Sequence, residues 1–347
     1  MTGTRRSARA LRVLVTADPE LPVPPRFYGG IERVIQLLVD GLTRRGHDVT
    51  LLAHPDSRVS CRLVPYPGSR SGSVVDTARN AAVVLRETLR GRPDVIQSFG
   101  RLAYLAPVLP LAVKKVMSYQ RLITMRSVRW GSVAAHGTLY FTGCSRQLID
   151  RVCSVGVWRV IPNAVPLDRY QFRATVPADA PLVFLGRVEP IKGPHLAIDI
   201  ARATGRRLVI AGNVPEAHRR FFDERVAPQV DGSRITYVGP VDDAAKDALL
   251  GSAAALLMPI QWDEPFGIVM AEALACGTPV IGLPRGAVPE VVDDGVTGFV
   301  CETVEEMTAA VGRLAALDRG ACRQAAERRY SDAVVVARYE ALYRDVA

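Results

Sequence analysis

The sequence predicts two doubly wound α/β domains, each a parallel sheet covered by helices. Three observations predict it. Short β-branched runs alternate with helical stretches through the first half, a proline-rich break follows, and the same alternation then restarts. At 347 residues the chain is too long for one typical domain and fits two of moderate size.

In the first half the strand-like runs are LRVLVT, DVTLLA, DVIQS, KKVMSY and LYFTG. The stretch from Ile31 to Arg45 carries apolar residues at Ile31, Val34, Ile35, Leu38, Val39 and Leu42, the stripe of an amphipathic helix. Between Pro162 and Pro181 four prolines and no clear period mark an interdomain connection. Beyond it LVFLG, RLVIAG, RITYVG, AALLMP and TPVIGL read as strands. HLAIDIARA, EAHRRFFDERV, DDAAKDALLGSA and FGIVMAEALAC read as the helices between them. The closing segment has Ser331 as an N-cap and a stripe of Val335, Tyr339, Leu342, Tyr343 and Val346, a helix crossing back to the first domain. The predicted boundaries are 1–164, 165–330 and 331–347. Ligands of such folds bind at the carboxyl ends of the strands, in the cleft between facing domains.

Composition narrows the function. Apolar residues make up 48% and charged residues 23%, so both domains can build a core and nothing reads as disordered. No run reaches the ~18 apolar residues of a membrane span, and the basic start MTGTRRSARA leads into a short run without a cleavage-like ending. The expectation is a soluble, unprocessed, cytoplasmic protein. Six cysteines are scattered with no CxxC and no histidine at ligand spacing, which suits buried thiols. The net charge of +9 comes almost wholly from arginine, since lysine occurs only at Lys114, Lys115, Lys192 and Lys246. A basic balance suits nucleic acid, an anionic membrane surface or phosphate-bearing substrates. No helix-turn-helix, zinc-finger or RNP-like pattern supports nucleic acid, which leaves phosphate-bearing substrates and room for weak peripheral membrane contact.

The stretch EPFGIVMAEALACGTPV, Glu264 to Val280, carries the chemistry. A strand ends near Ile260 and Pro265 cannot sit inside a helix, so the helix is expected to begin at or just after Pro265 and to run to Gly277. Glu264 then stands at its mouth and Glu272 about two turns in, about 80° around the axis and up to ~12 Å along it. A glycosidase pair needs roughly 5 to 10 Å, so long side chains alone do not exclude hydrolysis. The N–H groups of Phe266, Gly267, Ile268 and Val269 offer a phosphate site between the carboxylates. Carboxylate, anion hole, carboxylate is a layout that fits a sugar nucleotide. The plainer alternative is a capping Glu264 and a solvated Glu272, and the apolar residues around Glu272 argue against it.

EPFGIVMAEALACGTPVI resembles the E-x7-E region of the retaining GT-B glycosyltransferases called family four, and the similarity covers most of the chain. FLGRVEPIKG matches the family's Gly-Arg followed by Lys-Gly, PPRFYGGIERV its first glycine loop, RRGHDVTLLA the strand after it, and IPNAV the interdomain entry. The resemblance implies that Arg187 and Lys192 bind the donor diphosphate and stabilise the charge that builds as the sugar leaves. It implies that Glu264 holds donor sugar hydroxyls, that the amides of Phe266 to Val269 hold phosphates and sugar, and that Glu272 holds the ribose diol. Gly29 and Gly30 would approach the donor phosphates with bare backbone.

One departure stands out. Where the family commonly places a histidine of an H-x-H-like pair, the chain reads Gln97-Ser98-Phe99-Gly100. Phe99 would instead line an apolar acceptor pocket, and none of His47, His54, His136, His195 and His218 is assigned a role. No D-x-D triplet occurs, so neither a metal nor a cofactor is expected beyond the nucleotide-sugar substrate. The implied activity is a retaining, metal-independent hexosyl transfer, with a UDP-sugar favoured over GDP-mannose and a small-molecule acceptor. A phosphorylated or lipid-linked acceptor, a non-catalytic sugar-nucleotide-binding protein and a sugar-nucleotide isomerase are the alternatives.

Overall fold

The computed structural model describes residues 9–25 and 29–347. The first eight residues of the basic start and Arg26 to Tyr28 of the glycine loop lie outside them. The chain forms two units, Met1–Gly143 with Ile149–Ile161 and Val336–Ala347, and Cys144–Leu148 with Pro162–Val335.

The first unit is built on seven strands, β1 (Arg12–Thr16), β2 (Asp48–Ala53), β3 (Arg62–Pro65), β4 (Val95–Ser98), β5 (Lys114–Tyr119), β6 (Leu139–Gly143) and β7 (Val157–Val160). All pair in parallel in the order β3-β2-β1-β4-β5-β6-β7, with Val13 registered against Val49 on one side and Val95 on the other. Both faces of this sheet are covered, so its strands read as continuous apolar runs; Val13, Leu14 and Val15 are all buried. The Gly30–Arg44 helix buries Val34, Ile35, Leu38, Val39 and Leu42 of the stripe its sequence spells out, while Ile31 in the first turn is only partly buried.

The second unit holds β8 (Leu182–Leu185), β9 (Leu208–Ala211), β10 (Ile235–Tyr237), β11 (Ala255–Met258), β12 (Val280–Gly282) and β13 (Gly298–Val300), again parallel, in the order β10-β9-β8-β11-β12-β13. Both units are therefore doubly wound, Rossmann-like sheets, as the sequence predicts. In each, the strand order reverses at one place, between β1 and β4 and between β8 and β11. Crevices at such reversals are where open α/β sheets bind ligands.

The last helix, Asp332–Val346, starts in the second unit and finishes in the first. Ser331 Oγ accepts the Val334 N–H at 3.4 Å, and Val335, Tyr339, Leu342, Tyr343 and Val346 are buried. Within the first unit Val336 packs directly over Gly41, and the Tyr343 hydroxyl donates to Gln97 Oε1 at 3.0 Å. Four cysteines are buried, but Cys61 is partly exposed and Cys153 exposed, so the expectation of buried thiols fails for those two. Among the described residues no helix is long and apolar enough to cross a membrane.

Candidate active site

Arg187 and Lys192 follow β8, and Glu264 follows β11, so three predicted residues stand beyond the carboxyl ends of the two strands that flank the reversal of the second sheet. Lys192 closes a short 3-10 turn, Pro190–Lys192, and its ammonium is bonded to Glu264 Oε2. The Trp262 indole N–H donates to the same oxygen at 3.1 Å, and the ammonium lies 4.8 Å from the Trp262 ring centre. The carboxylate at the end of β11 is thus fixed by a cation and a neutral donor before any ligand arrives. Arg187 is separately paired, 2.8 Å from Glu189 Oε1, while Glu189 Oε2 lies 3.4 Å from His218 Nε2.

Two glycines hold the Glu264 backbone. Gly286 has φ 59°, and a Cβ there would overlap the Glu264 peptide atoms; the next amide, Ala287 N–H, donates to the Glu264 carbonyl at 2.8 Å. Gly267 has φ 71°, and a Cβ there would meet Met270 Cε at 2.8 Å and Glu264 Cγ at 3.3 Å. Only a residue without a side chain takes both the conformation and the space.

The helix start differs from expectation. The helix is Ile268–Ala275 with Gly267 as its cap, not a helix from Pro265 to Gly277. Phe266 turns inward, 4% exposed with its ring edge-on to Tyr330 at 5.6 Å, and the left-handed Gly267 then breaks the backbone. Glu264 therefore precedes the helix by four residues, and Glu272 lies just over one turn inside it, so the helical spacing expected between them does not apply. Ile268 and Val269 keep amides at the helix mouth; Phe266 and Gly267 contribute backbone ahead of it.

Glu272 is 6% exposed, not a solvated residue. The Tyr170 hydroxyl donates to its Oε1 at 2.7 Å and the Lys246 ammonium to the same atom at 2.5 Å. Burial, and after it the Glu272 charge, push the Tyr170 hydroxyl well above the ordinary tyrosine range, so it stays a donor. Sequence reading missed Tyr170, Lys246 and Trp262. Tyr170 sits in the stretch taken for a mere connection, which is in fact tied to the second unit by Gln171 N–H to Asp247 at 2.8 Å and Arg173 N–H to Cys276 at 3.1 Å. The scarcity of lysine was a usable signal for Lys246, because it applies to that residue as much as to Lys192.

In the first unit Gly29 caps the Gly30–Arg44 helix, and Glu32 of its first turn is buried with its carboxyl raised by that burial. Phe99 is 6% exposed, with its ring 6.0 Å from that of Tyr339 on the last helix. At the position where an imidazole was looked for, Gln97 is fully buried, donating to Ser118 Oγ at 2.8 Å and accepting from Tyr343. Ser118 continues to Thr142 at 2.5 Å, and Thr16 donates to Ser98 at 2.8 Å. These residues knit the strand ends and the last helix together.

Comparison with known proteins agrees with this fold. Residues 28–169 match the family described as glycosyltransferase family 4, and residues 172–330 match the glycosyl transferases group 1. A D-inositol 3-phosphate glycosyltransferase of Mycobacterium marinum is 30% identical over 166 residues, 45% of this chain and 35% of that protein. The match thus spans about a third of the length of that curated relative. Among solved structures, AviGT4, a glycosyltransferase involved in avilamycin A biosynthesis, has a TM-score of 0.71 at 27% identity, covering 97% of this chain and 98% of that one. HepE of Anabaena, solved with UDP and glucose, has a TM-score of 0.75 at 17% identity over 96% and 100% of the two chains, a likeness of fold.

Proposed function

The chain belongs to the GT-B glycosyltransferases of group 1 and family 4, and on that premise we propose that it transfers a hexose, with retention of configuration, from a nucleotide-diphosphate sugar to a small-molecule acceptor. A UDP-sugar is the favoured donor and GDP-mannose the second. The observation that carries the reading is the pairing of Lys192 with Glu264 at the carboxyl end of β11, next to the helix mouth at Ile268. When a donor binds, Lys192 exchanges one anion for another and turns to the diphosphate with Arg187. The freed Glu264 carboxylate accepts hydroxyls of the sugar, and the amides of Ile268 and Val269 face the phosphates. Glu272 accepts the ribose diol, and Gly29 and Gly30 keep the phosphate role that the resemblance gives them. As the sugar leaves, charge grows on the diphosphate, where these cations already stand. No protein base is assigned; the acceptor proton passes to a donor phosphate oxygen.

A second reading, a phosphorylated acceptor, is favoured by one feature of the first unit. Between Asp94 and Asp150 the chain contains no carboxylate, and the part of this run in the first unit carries Arg101, Lys114, Arg121, Arg126 and Arg129 beside the buried Lys115. The inositol phosphate relative points the same way.

Calorimetric titration with UDP-, GDP- and dTDP-sugars tests the donor. Variants then test the ends of the site. Glu272→Ala should weaken both UDP and the whole donor, roughly 10- to 150-fold, since a charge-assisted hydrogen bond contributes about 1.5 to 3 kcal/mol. Glu264→Ala should cut single-turnover rates sharply while leaving bare UDP within about threefold. Loss of UDP binding in folded Glu264→Ala reverses the assignment. Transfer should persist in EDTA; loss restored by Mg2+ or Mn2+ would replace the cationic phosphate site with a metal one.

A further inference from the structure

The hydrogen bonds that the Glu272 carboxylate receives from the described residues end on Oε1. The Tyr170 hydroxyl donates there at 2.7 Å and Lys246 Nζ donates beside it. Lys246 is itself placed, 3.6 Å from Asp243 Oδ1 and 5.5 Å from the Tyr170 ring centre, and Tyr170 is 4% exposed. Two donors on one oxygen set the plane of the carboxylate and leave Oε2 to accept. A buried carboxylate with neither donor would swing towards whatever partner it could find, because an unpaired buried charge is costly.

We propose that Tyr170 and Lys246 are positioning residues that aim Glu272 Oε2 at the nucleotide ribose, and so set the preference for a ribose diol over a deoxygenated sugar. The proposal rests on the assignment of Glu272 to the ribose.

The test is calorimetric titration of UDP and 2′,3′-dideoxy-UDP, or the guanosine pair if the donor screen selects guanine, into wild type, Tyr170→Phe, Lys246→Met and Glu272→Ala. Tyr170→Phe keeps the buried ring, and a Lys246→Arg variant keeps the cation should Lys246→Met fail to fold. Wild type should prefer UDP. Tyr170→Phe and Lys246→Met should each weaken UDP roughly 5- to 30-fold, the loss of one hydrogen bond to a charged group. They should leave the dideoxy nucleotide within about twofold, and Lys246→Arg should recover most of the UDP affinity. Equal weakening of both nucleotides would mean that the two residues only support the fold, and the proposal falls. If Glu272→Ala weakens UDP but Tyr170→Phe and Lys246→Met do not, the positioning role alone is wrong. If Glu272→Ala leaves UDP unchanged, the ribose assignment fails and takes the proposal with it.

Discussion

A single methyl group tests how Glu264 is held. Gly286→Ala places a Cβ where the Glu264 peptide lies, at a φ of 59°, so the 285–287 loop must move and carry the carboxylate with it. The cost in stability is about 1 kcal/mol or more. On the proposed role of Glu264 in holding the donor sugar, single-turnover rates should fall about 10-fold, because small displacements of a positioning group are costly, while UDP affinity stays within about threefold. A variant with wild-type rates would show that the loop does not position Glu264. At this scale the sequence showed the residues that belong to one contiguous pattern, Glu264, Ile268 and Glu272, and the nearby cations of FLGRVEPIKG. It could not show their partners. Tyr170 reaches Glu272 across 102 positions, and the Lys192–Glu264 pair spans 72; no local period encodes such distances.

Elements were legible where burial matches period. KKVMSY and LYFTG become β5 and β6 at the expected residues because both faces of each strand are covered. The Val74–Gly91 helix escaped notice for the opposite reason. Its buried face includes Asp76, Asn80, Glu87 and Thr88, while Val74 and Val75 are 83% and 59% exposed. Asn80 exchanges two hydrogen bonds with the Gly68 backbone, so polarity on that face is satisfied and the apolar stripe is broken. EAHRRFFDERV, expected as one helix, is a 3-10 turn, a short α-helical turn and a π turn in succession. The short strands β3, β7 and β13 lacked alternation long enough to register.

Lys115 offers a prediction for an element. On β5 it is fully buried and donates to the carbonyls of Val108, Leu109 and Leu111 at 3.2, 2.8 and 2.6 Å, closing the end of the Leu102–Val108 3-10 helix. Burial, with the charge of Lys114 second, pulls its amine down to about 8. Between that value and the ordinary lysine pKa of about 10.4, the unfolded chain holds a proton that the folded chain has released. The penalty for burying the charge is therefore fully present below pH 8 and is relieved as pH rises through this window. Urea unfolding of wild type and Lys115→Met should show the stability difference shifting towards wild type by about 2 kcal/mol between pH 7.5 and 9.5. A fixed or shrinking difference would mean that the three carbonyls hold the ammonium charged.

For the whole molecule, the acid-free run between Asp94 and Asp150 adds only positive charge to a first unit that is already basic. Arg121, Arg126 and Arg129 are exposed. Anionic ligands should be drawn to this half at low ionic strength, and that attraction should fade as the screening length shortens to about 8 Å near 0.15 M salt. With a phosphorylated acceptor, kcat/KM should fall several-fold between 20 and 300 mM NaCl at nearly constant kcat. A double Arg126→Gln, Arg129→Gln variant should show a flatter slope. A slope unchanged by the substitutions would place the anion elsewhere.

The last helix also dictates the order in which the protein can be made. The first unit emerges from the ribosome first, yet Gly41, Phe99 and Gln97 wait for Val336, Tyr339 and Tyr343, which are joined only after the second unit. Domains commonly fold as they appear, amino-terminal first. Here the second unit can close while the first still carries an open seam, so completion runs against the direction of synthesis. Stalled nascent chains ending at Val335 should expose the first unit to brief proteolysis, whereas released protein that includes residues 336–347 should resist it. Equal resistance would mean that the seam closes unaided. The amino-terminal domain is finished only when the helix from Asp332 has been made.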